Sequence, residues 1–192
     1  MMGLALTGCA TAPPCPEPEP AWASGTSPSP ATPTPAPAAA TVVIFVRHAE
    51  KASDGTSDPP LTARGQRRAE CLAALLDPFE PDTLLSSEYR RTQATLAPLA
   101  RATGATVETI EAGNAEAWAT ALQQLPAGAR VVVSGHSNTL PAWVAALGTR
   151  LESLDPEGNI PHDDYDRMIH VIVGEGRAAV SFETAYCVEP EP

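Results

Sequence analysis

The most constraining feature of the sequence is an uninterrupted apolar run, Thr41-Val42-Val43-Ile44-Phe45-Val46. Its β-branched residues and its lack of polar alternation are typical of a strand buried on both faces. A second run of this kind, Arg130-Val131-Val132-Val133-Ser134, occurs later in the chain. Because doubly buried strands need helices on both sides of their sheet, the two runs predict an α/β fold with a mostly parallel sheet.

Helical patterns separate the predicted strands. The spacing of apolar residues and breakers predicts helices from Thr62, as N-cap, to Leu76, and over residues 89–103, 114–125 and 140–147. Strands are predicted over 41–46, 83–85, 105–110, 130–134, 168–173 and 178–182, the last two forming an antiparallel hairpin around a turn at 174–177. The expected architecture is a three-layer α/β/α domain at residues 41–188.

The composition differs sharply before residue 41. Ten of the 21 prolines fall within residues 1–40, which carry no Lys or Arg. Residues 10–40 are rich in Pro, Ala and Thr, and we expect a disordered linker there and a short tail at 189–192. Leu6-Thr7-Gly8-Cys9 resembles the bacterial lipoprotein cleavage box, which predicts a signal remnant at 1–9.

The lipoprotein interpretation makes the protein an exported one, anchored through acylated Cys9 and facing the periplasm or the cell exterior. In the alternative interpretation the start is an ordinary apolar N-terminus with a chance cysteine, and the protein is cytoplasmic. Membrane contact is expected only through that anchor, since the chain has no apolar run of about 18 residues or more.

The charge of the chain limits its partners. The formal net charge is −11, and all 12 Lys and Arg residues lie in residues 41–192 beside 21 of the 23 acids. A net-acidic surface is unsuited to nucleic acid, because phosphate contacts supply most of that affinity. Any chemistry on anions must therefore come from a few bases gathered locally.

Such bases follow the predicted strands. Arg47-His48-Ala49-Glu50-Lys51 comes after the first strand, Ser86-Ser87 and Arg90-Arg91 after the second, and Gly135-His136-Ser137-Asn138 after the 130–134 strand. Sites in open α/β sheets form at the carboxyl ends of the strands. We therefore expect these side chains to meet at one edge of the sheet.

Four motifs, in this order and spacing, resemble those of the histidine phosphatase (phosphoglycerate mutase-like) superfamily, in its small phosphatase branch. They are Arg47 to Lys51, Leu61-Thr62-Ala63-Arg64-Gly65, Ser86 to Thr95, and Val133 to Ser137, and the resemblance covers residues 42–147. It implies a phosphoglycerate mutase-like fold and a hydrolase acting on phosphoryl groups, of the histidine acid phosphatase type. It also implies catalysis without a metal or another cofactor.

The resemblance also implies roles for individual residues. His48 would attack phosphorus and carry the phosphoryl group, since neutral imidazole is a good nucleophile near pH 7. Arg47 and Arg91 would bind the phosphoryl oxygens as charged forks, with Lys51 and His136 as further contacts. Arg91 fits the superfamily position better than Arg90, because Thr95 follows it at the usual spacing.

The general acid is left open among Glu108, Glu111 and Glu116. A leaving alkoxide needs a proton from a carboxylic acid held near neutral. Glu111 fits best, since it is the first residue past the predicted strand. A branch of the superfamily that acts on phosphohistidine lacks this acid, so the identity of the acid and that of the substrate are one question.

Three functions are compared on this basis. The leading hypothesis is a phosphatase for a phosphorylated small molecule or phosphoprotein, working by monoester or phosphohistidine hydrolysis. The alternative is a non-catalytic or weakly active phosphate-binding surface module. A phosphomutase is less favoured, because only about 150 residues follow the linker and mutases of the superfamily carry extra segments over the site. The oligomeric state is not indicated.

Other residues receive structural interpretations. Trp118 and Trp143 are expected in the core, and Cys71 on the inner face of its helix. A Cys71–Cys187 disulfide and a buried free thiol at Cys71 remain equally open, and no Cys or His spacing suggests zinc. His162 and His170 are interpreted as structural or solvated, and Arg64, Arg67, Arg68 and Glu70 as a solvated helix face. Residues 149–165 are expected at the mouth of the pocket.

Overall fold

The computed structural model describes residues 39–174 and 178–188, which belong to one compact unit within Pro37–Pro192. The predicted signal remnant at 1–9, all but the end of the predicted linker at 10–40, residues 175–177 of the predicted turn, and the tail at 189–192 lie outside the described residues. In the part of the chain that is described, no helix is long and apolar enough to cross a membrane.

The fold alternates strands and helices as the sequence predicts. The elements are β1 Thr41–Arg47, α1 Ala63–Leu76, β2 Thr83–Ser87, α2 Arg90–Thr103, β3 Val107–Ile110, α3 Ala115–Gln123, β4 Arg130–Gly135, α4 Leu140–Ala146, β5 Arg167–Val173 and β6 Val180–Ala185, with a short 3-10 turn, Asp77–Phe79, after α1. The six strands form one sheet in the order β3-β2-β4-β1-β5-β6. The first four are parallel and the last two antiparallel, which confirms the expected α/β class and the late hairpin.

Each face of the sheet is covered by its own apolar cluster. Alternate residues of β1 point to opposite faces, as the pleat requires. Val43 and Phe45 pack with residues of α3 and α4, including Trp118 and Trp143, whose rings stack with centroids 3.6 Å apart. Ile44 and Val46 pack on the other face with leucines of α1 and α2. The predicted core positions of the two tryptophans are confirmed, and the three layers follow from this division.

The ends of the helices agree with the sequence signals, and the outer strands begin later than expected. Thr62 Oγ1 accepts a hydrogen bond from Gly65 N at 3.0 Å, as an N-cap does. Gly104 ends α2 in the left-handed conformation (φ 75°). Because the exit from α2 continues through this glycine and Ala105, β3 begins at Val107 and not at residue 105.

Two expectations about α1 were wrong. Arg68, expected on a solvated face, is only 5% exposed, and Cys71, expected on the inner face, is exposed and joined to Cys187 in a disulfide. Arg68 lies one helical turn before the buried Leu72 and so shares its inward side. It is tolerated there because Glu50 pairs with it, a contact between distant parts of the chain that helical periodicity cannot reveal.

Replacing Gly65 by Ala should destabilise the fold. A Cβ at Gly65 would lie too close to the backbone carbonyl oxygen of Glu50, which cannot move away as a flexible side chain can. We expect the free energy of unfolding to fall by about 1–3 kcal/mol, as for other overpacking substitutions. Urea denaturation at neutral pH measures this quantity.

Gly113→Ala is the matched control, since a Cβ at Gly113 meets nothing within 4 Å. Its free energy of unfolding should change by less than about 0.5 kcal/mol. Equal stability of the two variants would contradict the close approach of Gly65 to Glu50.

Candidate active site

The carboxyl ends of the four parallel strands surround one cavity of about 400 Å³. Residues that line it follow β1, β2, β3 and β4, and His162 comes from the segment before β5. The lining residues are Arg47, His48, Lys51, Tyr89, Arg91, Ala112, Gly113, His136, Ser137, Asn138 and His162. The sheet edge thus brings together five of the six predicted site residues, and the sixth, Glu111, is not among those that line the cavity.

Hydrogen bonding determines which nitrogen of His48 carries the proton. His48 Nδ1 lies 2.9 Å from the carbonyl oxygen of Ala49, which can only accept. Nδ1 therefore holds the hydrogen in the neutral ring, and Nε2 keeps its lone pair. The backbone N–H of His48 donates to Gly135 O at 2.9 Å, which ties this residue to the end of β4.

The pKa of His48 lies far below its ordinary value. Burial lowers it from 6.5 to about 3, and the positive charges of Arg47 and Arg91, with His136, act in the same direction. His48 is 4% exposed. The ring is therefore neutral at every physiological pH, which is the protonation state that a nucleophilic imidazole requires.

His136 lies beside His48, with ring centroids 5.3 Å apart. Its Nε2 is 2.9 Å from Ser87 Oγ, which in turn contacts Thr92 Oγ1 at 2.7 Å. Its Nδ1 faces Arg91 Nη2 at 3.5 Å, and because a guanidinium only donates, Nδ1 presents its lone pair there. Burial lowers the pKa of His136 to about 4, with Arg91 and Arg47 adding to the effect.

Arg47 is held at one end only. Its Nη1 donates to the carbonyl oxygens of Pro161, His162 and Asp164, at 3.1, 2.7 and 3.3 Å. Its Nε is buried and has no partner among the described residues. Arg47 is 3% exposed, and burial lowers its pKa. A side chain with this cost of desolvation and an unused donor is suited to binding an anion.

Arg91, in the first turn of α2, has a similar arrangement. Its Nη1 lies 3.4 Å from Asp58 Oδ1, and its Nε is also buried without a partner among the described residues. Asp58 also accepts from the backbone N–H of Arg90, at 3.0 and 3.2 Å, so that it fixes the start of α2. The side chain of Arg90 is exposed, and Arg90 is not among the residues that line the cavity.

The three candidate acids lie away from the cavity wall. Glu108, Glu111 and Glu116 are all exposed, and none of them lines the cavity. The carbonyl oxygen of Glu111 accepts from the indole of Trp118 at 3.1 Å, which anchors the backbone of this turn. The lining residues in the described ranges include no Asp or Glu, while Arg47, Lys51 and Arg91 supply cations. The cavity is therefore suited to an anionic ligand.

Sequence reasoning missed several residues around the site. His162, interpreted as structural or solvated, lines the cavity, as part of the segment 149–165 that was expected at its mouth. Tyr89 lines it too, and Asp58 holds Arg91. No spacing in the sequence links these residues, although Tyr89 could have been found as the residue before the first turn of α2.

A buried ion pair supports the loop that follows His48. The Nε and Nη2 of Arg68 both donate to the carboxylate of Glu50, at 2.8 to 3.1 Å. The Nη1 of Arg68 donates to the carbonyl oxygens of Tyr186 and Cys187, at 3.3 and 3.2 Å. The Cys71–Cys187 disulfide fastens the same C-terminal segment to α1. The segment that follows β6 therefore supports the loop after the predicted nucleophile.

The comparisons with known proteins give one family model and a set of solved structures with a similar fold. The sequence model of the Histidine phosphatase superfamily (branch 1) matches residues 43–113, a range that contains Arg47, His48, Lys51 and Arg91. The comparison with curated protein sequences gave no significant match.

Solved structures share the fold. A protein assigned as the phosphohistidine phosphatase SixA of Nakamurella multipartitia is 24% identical, with a TM-score of 0.57 over 80% of this chain and 100% of that one. The protein histidine phosphatase SixA in complex with tungstate is 19% identical, with a TM-score of 0.55 over 76% and 97%. A mycobacterial glucosyl-3-phosphoglycerate phosphatase is 16% identical, with a TM-score of 0.54 over 78% and 100%.

The stability of the protein should fall as the pH falls below about 6.5. Both histidines protonate near 6.5 in the unfolded chain but only at about 3 and about 4 in the folded one, so that protons bind preferentially to the unfolded state between these values. Each such histidine adds a slope of up to about 1.4 kcal/mol per pH unit. Urea unfolding between pH 7.5 and 5.5 measures the slope, because the contribution of Glu50, whose pKa the fold lowers from 4.5, is lost only at lower pH.

The variants His48→Asn and His136→Asn test the assignment. Each removes one of the two groups and should make the slope shallower, with little change in stability near pH 7.5. Two variants with the slope of the wild type would show that the histidines are not held neutral by burial.

Proposed function

We propose that the chain is a member of the histidine phosphatase superfamily, whose sequence model matches residues 43–113, and that it is a phosphatase working through a phosphohistidine at His48. One observation carries the proposal: a neutral imidazole whose Nε2 keeps its lone pair lies in a cavity lined by Arg47 and Arg91, and the Nε of each arginine is buried without a partner among the described residues. Nucleophile and anion donors are thus assembled before any substrate arrives.

The reaction has two displacements at phosphorus. In the first, the Nε2 lone pair of His48 forms a bond to phosphorus, and the bond to the leaving group breaks with its electron pair going to that group. In the second, water attacks phosphorus, the P–N bond breaks, and its electrons return to Nε2. The Nδ1–H bond to Ala49 O persists throughout, so that the ring needs no base to activate it.

Arg47, Arg91 and His136 stabilise the phosphoryl group in transfer. Its charge spreads over three oxygens, and fixed donors in a desolvated cavity stabilise that charge more strongly than water can. A bound dianion also favours the protonated form of the His136 ring, and a cationic ring there donates to phosphate oxygens. Lys51, on the cavity wall, adds a third cation. These cations take the place of a metal ion at the phosphate.

The substrate follows from the lack of a carboxylic acid on the described cavity wall. A group that leaves without a proton from the enzyme must be stable on its own, as imidazole or a phenol is and as an alkoxide is not. We therefore favour phosphohistidine in a protein over a simple alkyl phosphate. The likeness in fold to proteins named as phosphohistidine phosphatases supports this choice.

Export is a further part of the proposal. The Cys71–Cys187 disulfide is of a kind that persists in oxidising compartments outside the cytosol. Leu6-Thr7-Gly8-Cys9 and the proline-rich residues after it suit a lipid anchor and a tether, although they lie outside the described residues. We propose a domain held near a membrane surface on the oxidising side.

His48→Ala should abolish turnover. Without the imidazole there is no nucleophile, so kcat/KM should fall by a factor on the order of 10³ or more. Phosphate release is measured from a phosphohistidine peptide, an aryl phosphate and an alkyl phosphate. The wild type should act on the first two and much more slowly on the third, and acid quench should trap phosphate on wild-type protein only.

Glu111→Ala is the control, and it should match the wild type on the phosphohistidine peptide and the aryl phosphate. A large loss of turnover in this variant would indicate that Glu111 acts as the general acid. If the wild type binds phosphate but turns over none of the three substrates, the protein is an anion-binding module and the enzyme assignment is wrong.

Mass spectrometry of the mature protein in its native host tests the anchor. The N-terminal peptide should begin at Cys9 and carry the added mass of acyl chains, and Cys9→Ser should stay unlipidated and leave the membrane fraction. A mature chain that begins at an intact Met1 would contradict the lipoprotein assignment.

A further inference from the structure

Each of the three tyrosines in the sequence lies against a buried or half-buried arginine. The guanidinium carbon of Arg47 is 4.1 Å from the ring centre of Tyr165, and that of Arg91 is 4.1 Å from the ring centre of Tyr89. The third pair, Arg68 and Tyr186, is wider, at 5.8 Å. Two of these pairs flank the cavity and the third lies beside the loop after His48.

The pair outside the cavity shows how such an arginine uses its donors. Arg68 Nη1 donates to backbone carbonyl oxygens, while its Nε and Nη2, which share one edge of the guanidinium, hold the carboxylate of Glu50 as a fork. The fold has thus built one anion site of this type with its anion in place.

The two pairs at the cavity have the same ring and guanidinium, but neither arginine has an anion on its Nε among the described residues. In Arg47 and in Arg91 the Nη1 contacts a protein oxygen, and the Nε is buried without a partner among the described residues. In Arg47 the edge formed by Nε and Nη2 therefore remains for a ligand. In Arg91 the Nε remains, together with the N–H of Nη2 that does not face His136 Nδ1. A tetrahedral phosphoryl group has enough oxygens for both edges.

The rings of Tyr89 and Tyr165 fix the orientation of the guanidinium planes of Arg91 and Arg47, whose paired donors we call forks. A guanidinium over a tyrosine face is attracted by the ring quadrupole and cannot rotate about its last bonds without losing that contact. Tyr89 also meets His136 edge-on, with centroids 5.0 Å apart, and Tyr165 lies 6.2 Å from His48. Each ring thus borders both an arginine and a histidine of the site.

We propose that Tyr89 and Tyr165 are positioning residues that hold the forks of Arg91 and Arg47 toward the phosphoryl group. The role belongs to the aromatic face, since neither phenol oxygen is placed in a hydrogen bond within the described part of the chain. This inference rests on the proposed function, because it assigns the two forks to the phosphate of that reaction. It does not depend on turnover, since the same forks bind inorganic phosphate.

Binding of inorganic phosphate, measured by calorimetry on the full chain, tests the proposal. Tyr89→Leu and Tyr165→Leu should each lower the affinity for phosphate by about 5- to 30-fold, the range expected for loss of a desolvated cation–π contact. Tyr89→Phe and Tyr165→Phe keep the ring and should stay within about twofold of the wild type. Phe182→Leu, which removes an exposed ring stacked on His170 away from the cavity, should leave the affinity unchanged.

Phenylalanines with increasing numbers of ring fluorines, placed at position 89 or 165, keep the shape of the ring but reduce the negative electrostatic potential of its face. Phosphate affinity should fall stepwise along this series, and this readout survives even if a leucine variant fails to fold. If phosphate affinity does not change along the fluorinated series, or if the leucine variants bind phosphate as tightly as the wild type, the positioning role is wrong.

The aryl phosphatase assay separates this inference from the proposed function. If the wild type hydrolyses the aryl phosphate and the leucine variants bind phosphate as tightly as the wild type, only the positioning role of the tyrosines is wrong. Phosphate binding that follows the ring series, in a protein without turnover, defeats the phosphatase proposal alone. A wild type that binds no phosphate defeats both.

Discussion

The pairing of β1 with β4 is the constraint on which the rest of the site depends. It sets Arg47 opposite Gly135 in the sheet, and the next hydrogen bond, from His48 N to Gly135 O, fixes where the nucleophile leaves the sheet. His136 therefore follows on the neighbouring strand at the same level. Two histidines 88 positions apart become ring neighbours because their strands are parallel and in register, and no direct contact between their side chains has to arrange this.

The hydroxyl of Thr95 connects α2 to the loop that follows β1. Thr95 Oγ1 accepts from the N–H of Ala49 at 2.9 Å and donates to the carbonyl oxygen of Arg91 at 2.8 Å. One side chain thus connects the loop of the nucleophile to the helix that carries the second arginine. Because such buried hydroxyls have few alternative partners, they define the distance between the two motifs more firmly than apolar packing would.

Features that follow from local pattern could be predicted, whereas those that depend on pairing of distant residues could not. The run at 41–46 and the cap at Thr62 predict their elements within a residue or two. The burial of Arg68 depends on Glu50, 18 positions earlier, and the pairing of Cys71 depends on Cys187, 116 positions later. His162 enters the cavity because its carbonyl oxygen accepts from Arg47, a contact that has no trace in spacing or composition.

The overall charge of the protein works against capture of a phosphate at long range. Residues 41–192 carry 21 acids against 12 bases, so that an approaching dianion meets a repulsive field until it reaches the cavity. Screening limits this repulsion to about 8 Å at physiological salt, whereas buried donors in low dielectric are screened far less. Selectivity must therefore come from the short-range geometry of the Arg47 and Arg91 guanidinium groups. An anion that cannot accept hydrogen bonds from both arginines should bind weakly.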